Sequence, residues 1–445
     1  MAHRADPARL AAFDVLRAVD EQDAYANLEL SRVLRERRLT ARDAAFVTEL
    51  VGGTLRLRGS YDAVLDQLVD RPLDGPVRDA LRLGCHQVLS MRVPTHAAVG
   101  TTVDLVKARI GHRPSGLVNA VLRKVAARTL DEWLAGRSVA DRFSHPAWVV
   151  DELARALDRP GELDALLTAD NDRPGVTLVA RPGLATREEL GGEPLAISPY
   201  AVALGGGDPG AVAAVRDGRA GVQDAGSQLV AIALTRAEVA GRDRRWLDVC
   251  AGPGGKAALL AALAAERGAL LLANERQPHR ARLVAQAVRA AGAGVLGVVA
   301  GDGTRPAWPA ASFDRALVDA PCTGLGALRR RPESRWRRRE SDVPALVDLQ
   351  VALLGAAIDA TRPGGVVAYA TCSPLVEETA GVLSTVVRDR PDVRLEPALP
   401  LLPEVEDAES AHVPGAVQLW PHRHGTDAMF IAVLRRTDES GSRPH

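Results

Sequence analysis

Two cysteines stand where a thiol could do chemistry. Asp319-Ala320-Pro321-Cys322-Thr323-Gly324 and Ala370-Thr371-Cys372-Ser373-Pro374 each follow a short apolar run that reads as a β-strand. In a doubly wound sheet these strands are neighbours, about 5 Å apart, so both thiols reach one crevice. Either cysteine alone reads more readily as a small packing residue. Together they suit methyl transfer to a ring carbon such as C5 of cytosine, which is too weakly nucleophilic to attack a methyl sulfonium. A thiolate adding to C6 makes an enamine with nucleophilic character at C5. A carboxyl group at N3 stabilises the developing charge, and Asp319 stands where it could do so. A base then removes the C5 proton and the thiol leaves, so one cysteine attacks and the second can assist release. Methylation of an exocyclic amino group typically uses Asp/Asn-Pro-Pro-aromatic at this strand end; here Cys322 takes the aromatic's place.

Upstream, Leu247-Asp248-Val249-Cys250-Ala251-Gly252-Pro253-Gly254-Gly255-Lys256 reads as strand, glycine-rich turn and helix start. Glycines let the backbone approach a ligand, and a helix N-terminus presents N–H groups to it. The phosphate-loop pattern fails at Cys250 and Ala257, and the dinucleotide pattern fails on glycine spacing. An S-adenosylmethionine turn fits better. Glu275 follows the second strand, where a carboxylate accepts both ribose hydroxyls; Asp302 follows the third, within reach of an adenine amino group; Asp319 ends the fourth. Each alone could be a turn or cap carboxylate. In series with the turn they favour a nucleoside cofactor.

These residues need a frame that brings strand ends together. From Trp246 onward, short apolar strands alternate with helical patterns, which predicts an α/β, doubly wound, Rossmann-like domain with its ligands beyond the strands' carboxyl ends. Before it, apolar residues from Asp6 to about Leu130 recur at helical spacing and predict an all-α domain. The expected division is 1–140 all-helical, 141–230 a small α+β connecting subdomain with a strand at Val176 to Ala180, 231–436 the Rossmann-like domain, and 437–445 a disordered tail.

Net charge is zero, so any nucleic-acid field must be local. Basic residues gather in the second half of the helical domain, including Arg82, His86, Arg92, Lys107, Arg109, Arg123 and Lys124; a solvated helix surface and an RNA-facing patch are both open readings. A second cluster offers RNA-contact candidates, with Arg329, Arg330, Arg331 and Arg335 for phosphates and Trp336 for base stacking. Lysine survives only at 107, 124 and 256 among many arginines, which fits a specific role for Lys256. Four cysteines without Cys-x-x-Cys spacing argue against a disulfide framework or a metal site, and Cys85 reads as a packing residue. No apolar run of about 18 residues occurs and Met1-Ala-His-Arg lacks a signal-peptide pattern, so a cytoplasmic protein without a membrane partner is expected.

The three motifs, with Gln223-Asp224-Ala225-Gly226-Ser227-Gln228 upstream, resemble the RNA cytosine-C5 methyltransferases of the NOL/NOP/Sun family. The helical start is similar to the RNA-binding antitermination factor NusB, and the fusion resembles the bacterial 16S ribosomal RNA methyltransferases of that family. The resemblance implies Cys372 as nucleophile and Cys322 as the aid to product release. It implies S-adenosyl-L-methionine contacts at Cys250, Ala251, Gly252, Pro253, Gly254, Gly255, Lys256, Glu275, Asp302 and Asp319. Its implied partner is 16S rRNA or a small-subunit precursor, met by a monomer without a metal. Two residues depart from the pattern: Gly252 where alanine is common, and Glu275 where aspartate is common. The alternative is an RNA-binding or ribosome-assembly module with a vestigial methyltransferase domain, against which the intact acids and cysteines argue.

Overall fold

Helix signals in the early sequence are met by helices. Asp6 caps Pro7–Gln22 by accepting from Arg9 N at 2.8 Å, Thr40 caps Ala41–Arg56 through Asp43 N, and Thr129 with Glu132 forms a capping box on Leu130–Leu134. Each cap satisfies an amide that the helix itself leaves without a partner. The computed structural model describes residues 5–91 and 93–438; Arg92 and residues 439–445, most of the expected tail, lie outside the described residues.

An N-terminal unit runs through Asp151 and also includes Leu167–Asp172 and Leu328–Arg338. Its core gathers Phe13, Leu50, Tyr61, Leu81, Leu105 and Leu122 around the helix Gly75–Leu89. That helix is enclosed on nearly every side, so its polar residues are buried with it. Cys85 is fully buried, and burial pushes its thiol well up, which suits a packing residue. Arg82 and His86 do not join a basic surface. Arg82 makes two bonds to Asp62, at 2.9 and 2.7 Å, and His86 Nδ1 lies 2.8 Å from the Tyr61 hydroxyl.

The second unit contains two sheets. β1 (Val176–Ala180), β2 (Glu193–Pro194), β3 (Ala201–Leu204) and β4 (Ala220–Val222) form an antiparallel sheet in the order β2-β3-β1-β4. The larger sheet is built from β5 (Arg245–Asp248), β6 (Leu270–Glu275), β7 (Val295–Ala300), β8 (Phe313–Asp319), β9 (Thr361–Thr371), β10 (Val393–Glu396), β11 (Val417–Gln418) and β12 (Phe430–Arg436). Its order is β10-β12-β9-β8-β5-β6-β7, with β11 on β12. β7, β6, β5, β8 and β9 are parallel, as the alternating pattern predicts. The sheet is not parallel throughout. β12 inserts between β9 and β10 antiparallel to both, because no crossover helix brings the chain back to the starting edge before it enters.

Alternate residues of the central strands face two apolar layers. Trp246, Ala368 and Ala370 pack with the helices Ala225–Arg236 and Gly255–Glu266, while Leu247, Val367 and Tyr369 pack with Val343–Ala360 and Val382–Asp389. Burial on both faces explains why these strands read as continuous apolar runs. β5 lies between β6 and β8, so the chain winds outward in both directions from it. The crevice above that switch point receives the carboxyl ends of all five parallel strands.

Candidate active site

The turn after β5 is shaped by its glycines and by neighbouring strand ends. Gly254 has φ +113°, a conformation that a side chain would strain, and it caps Gly255–Glu266 without a side-chain hydrogen bond. Asn274 Nδ2 donates to Val249 O at 2.9 Å and to Gly301 O at 3.1 Å, tying three strand ends together. Arg280 Nη2 donates to Gly252 O at 2.7 Å, with its Nε 3.7 Å from Glu275 Oε2. Glu275 Oε1 accepts from Gln277 N at 2.9 Å. Asp302 Oδ1 accepts from the Thr304 hydroxyl and amide, which hold its carboxyl below the usual range. Glu275, Asp302 and Asp319 therefore stand at successive strand ends around the turn.

Asp248 is fully buried at the end of β5. Burial, reinforced by the charge of Asp319, pushes its carboxyl up to about 8. Its Oδ1 accepts from Cys250 N at 3.2 Å, while Oδ2 has no hydrogen-bond partner among the described residues. A buried carboxyl oxygen without a partner is costly unless something bonds to it, and here it sits under the glycine turn. Burial and then the charge of Asp248 push the Cys250 thiol well up.

The two cysteine loops meet as neighbours. Asp319 pairs in register with Ala370, and two and three residues further on the sulfurs of Cys372 and Cys322 stand 3.4 Å apart, too far for a disulfide and close enough to share a proton. The hydrogen bond with Cys372, then burial, pushes the Cys322 thiol well above its ordinary value. Lys256 Nζ donates to Asp319 Oδ2 at 2.9 Å. Burial would depress that ammonium, but Asp319 outweighs it and the lysine lies above its ordinary value. Cys372 is within electrostatic reach of the same ammonium.

Every cofactor and catalytic residue singled out from the sequence is thus placed at one end of one sheet. The arginine cluster belongs to the other unit. Leu328–Arg338 packs in the N-terminal unit, where Arg335 is fully buried. Its Nη1 donates to Ser144 O at 3.0 Å and Asn171 Oδ1 at 2.7 Å, and its Nη2 to Asp170 O at 3.1 Å. That guanidinium donates to chain oxygens, and its burial keeps it from phosphate. Trp336 packs over Gly59 beneath Arg58, and Arg329 is buried. Of the five RNA-contact candidates, Arg331 is exposed and Arg330 and Trp336 are half-exposed.

Several residues around the site escape sequence reasoning: Asp248, Asn274, Arg280, Gln350 and Glu378. Asp248 and Asn274 had a signal, a polar residue at the end of an apolar strand. Glu378, the second of two adjacent acids, carries no such signal.

Residues 237–435 match the family of the 16S rRNA methyltransferase RsmB/F, and residues 6–127 match the NusB family. A Mycobacterium tuberculosis chain named as a methyltransferase is 50% identical over 97% of both chains. The ribosomal RNA small subunit methyltransferase B of Escherichia coli is 33% identical over 84% of this chain and 89% of its own. The crystal structure of PH0851 shares the fold, with a TM-score of 0.79 at 22% identity over 98% of this chain and 100% of that one.

Proposed function

The chain belongs to the RsmB/F family of 16S rRNA methyltransferases, and from that premise we propose that it methylates C5 of a cytosine in 16S rRNA through a bond from Cys372 to C6. The observation that carries this reading is the pair of sulfurs 3.4 Å apart beside the Lys256–Asp319 ion pair. The turn fits S-adenosylmethionine: Gly254 turns the backbone at φ +113°, Asp248 Oδ2 beneath it has no hydrogen-bond partner among the described residues, and Glu275 and Asp302 follow at the next two strand ends. When bound, that cofactor supplies the methyl group.

The chain's own residues do the rest. Cys372 Sγ bonds to C6, and the displaced electron pair passes toward C5 while Asp319 steadies the N3 edge. Lys256 keeps Asp319 in place and sets a positive charge near the attacking sulfur. Once C5 has gained its methyl group a base takes its proton, the C6–Sγ bond breaks and the pair returns to Cys372 sulfur. Cys322, held as a thiol, attends that departing sulfur. The target base must be unstacked to enter the crevice. RNA is held by the NusB-like unit and by Arg330 and Arg331, all within a monomer, and no step calls for a metal.

Incubation with labelled cofactor and unmodified 16S rRNA, followed by mapping of 5-methylcytosine, tests the reading. Incorporation at a discrete cytosine is expected. Cofactor-bound protein that incorporates nothing would be the vestigial module instead. Cys322→Ala should trap a covalent protein–RNA adduct and Cys372→Ala should form none; the reverse pattern exchanges their roles.

A further inference from the structure

Behind the two sulfurs, a closed polar network joins the loops that carry them. Glu378 is fully buried on the π-helical turn Glu377–Gly381. Its Oε1 accepts from Thr323 N at 2.9 Å and Gln350 Nε2 at 2.8 Å, and its Oε2 accepts from the Thr323 hydroxyl at 2.5 Å. Thr323 Oγ1 lies 3.0 Å from Ser373 Oγ. Gln350 Nε2 also donates to Pro321 O at 2.9 Å, and the Tyr369 hydroxyl donates to the Glu378 carbonyl at 2.6 Å. Thr323 follows Cys322 and Ser373 follows Cys372, so the carboxylate reaches the chain next to both thiols.

We propose that Glu378 is a positioning residue for the cysteine pair: it sets the spacing of the two thiols and makes them unequal. This rests on the reading of Cys372 as attacker and Cys322 as helper. Spacing follows from geometry. A buried carboxylate holding three donors is a strong, directional anchor, and both loops end on it or one hydroxyl away. Inequality follows from position. The carboxylate bonds the amide and hydroxyl of Thr323, the residue next to Cys322, and reaches Ser373, next to Cys372, only through that hydroxyl. Its charge is among those that disfavour the Cys322 thiolate, after the effects of Cys372 and burial, whereas Cys372 interacts with the Lys256 ammonium. Buried, fully bonded polar networks of this kind fix a single arrangement.

Glu378→Gln separates the parts, because the side-chain amide can still bond Thr323, whose hydroxyl can turn to Ser373, while the charge is gone. The full-length variant would be treated with iodoacetamide at fixed pH, and each cysteine's alkylation rate mapped by peptide mass spectrometry. Cys322 should react about threefold faster or more than in the wild type, with Cys372 changed less. Ser373→Ala, which cuts the link between the loops, should slow single-turnover methyl transfer by about tenfold or more with cofactor Kd unchanged. Wild-type alkylation rates in folded Glu378→Gln, or an equal rise at both cysteines, would overturn the proposal. If that variant does not fold, an unaltered methyl-transfer rate in Ser373→Ala overturns it instead. A wild-type chain that methylates no RNA fails the functional reading, and the alkylation ratio still reports on Glu378.

Discussion

At Gly252 the backbone passes so close to Glu275 that an added methyl group would overlap Oε2 and press on Arg280 Nη2. These are the two positions where the chain departs from the residues usual in the family it resembles, and the departures compensate. Glycine leaves the room that the extra methylene of glutamate fills, and Arg280 bridges the turn carbonyl to that carboxylate. Gly252→Ala should therefore weaken S-adenosylmethionine binding by about tenfold or more, the cost of overpacking by roughly 1–3 kcal/mol. Gly252→Ala with Glu275→Asp should recover most of it. Calorimetric titration of the wild type and both variants checks this, and a double variant no tighter than Gly252→Ala would refute the pairing. The sequence displays both residues without displaying their contact, because 23 positions separate them. Arg335 teaches the opposite lesson. Seven arginines around a tryptophan read as phosphate ligands, yet the central one is spent on carbonyls within the fold.

The loop after β8 is held between the ends of β9 and β12. Gly326 N donates to Cys372 O and Ala428 N donates to Gly326 O, both at 2.8 Å. A Cβ on Gly326 would lie 2.8 Å from Cys372 O and closer still to Ala428 O. Three strand ends thus meet through one residue that has no side chain. We expect Gly326→Ala to destabilise the protein by roughly 1–3 kcal/mol and to lower methyl transfer, while cofactor affinity at the β5 turn stays near wild type. Denaturant unfolding and titration would decide, and wild-type activity in this variant would show that the loop is not spaced by this contact. The parallel strands were legible because each is a short apolar run between turn and helix signals. β10 and the antiparallel entry of β12 were not, since pairing direction depends on where a long connection returns the chain.

For the molecule as a whole, acid should act first through buried imidazoles. Burial lowers His86 from 6.5 to about 4 and places His145 well below its ordinary value. Unfolding restores the ordinary value, so the unfolded chain binds more protons as pH falls. The stability each contributes is complete above about 6.5 and is lost on acidification toward 4. Asp79, raised to about 6 by burial, works in the opposite sense, favouring the fold below about 4 and losing that effect as pH rises through 6. A comparison isolates the histidine: between pH 7 and 4, His86→Gln should gain stability relative to wild type by up to about 3 kcal/mol. Urea unfolding of both at the two pH values checks it, and a constant difference would show that His86 does not titrate on unfolding.

By itself the sequence determined what local chemistry can write: strands from apolar runs, a ligand turn from glycines, acids at strand ends, and two thiols with motifs distinct enough to name a family. Tertiary structure decided what depends on residues far apart in the chain. Cys322 and Cys372 are 50 positions apart, and their 3.4 Å separation exists only because β8 and β9 pair in register. Glu378 becomes an anchor only when a helical turn from beyond β9 closes behind the loop from β8. Whether an arginine meets phosphate or a buried carbonyl, and whether a carboxylate caps a helix or spaces two thiols, is set by which groups burial brings within about 3 Å. Spacing along the chain does not record that distance.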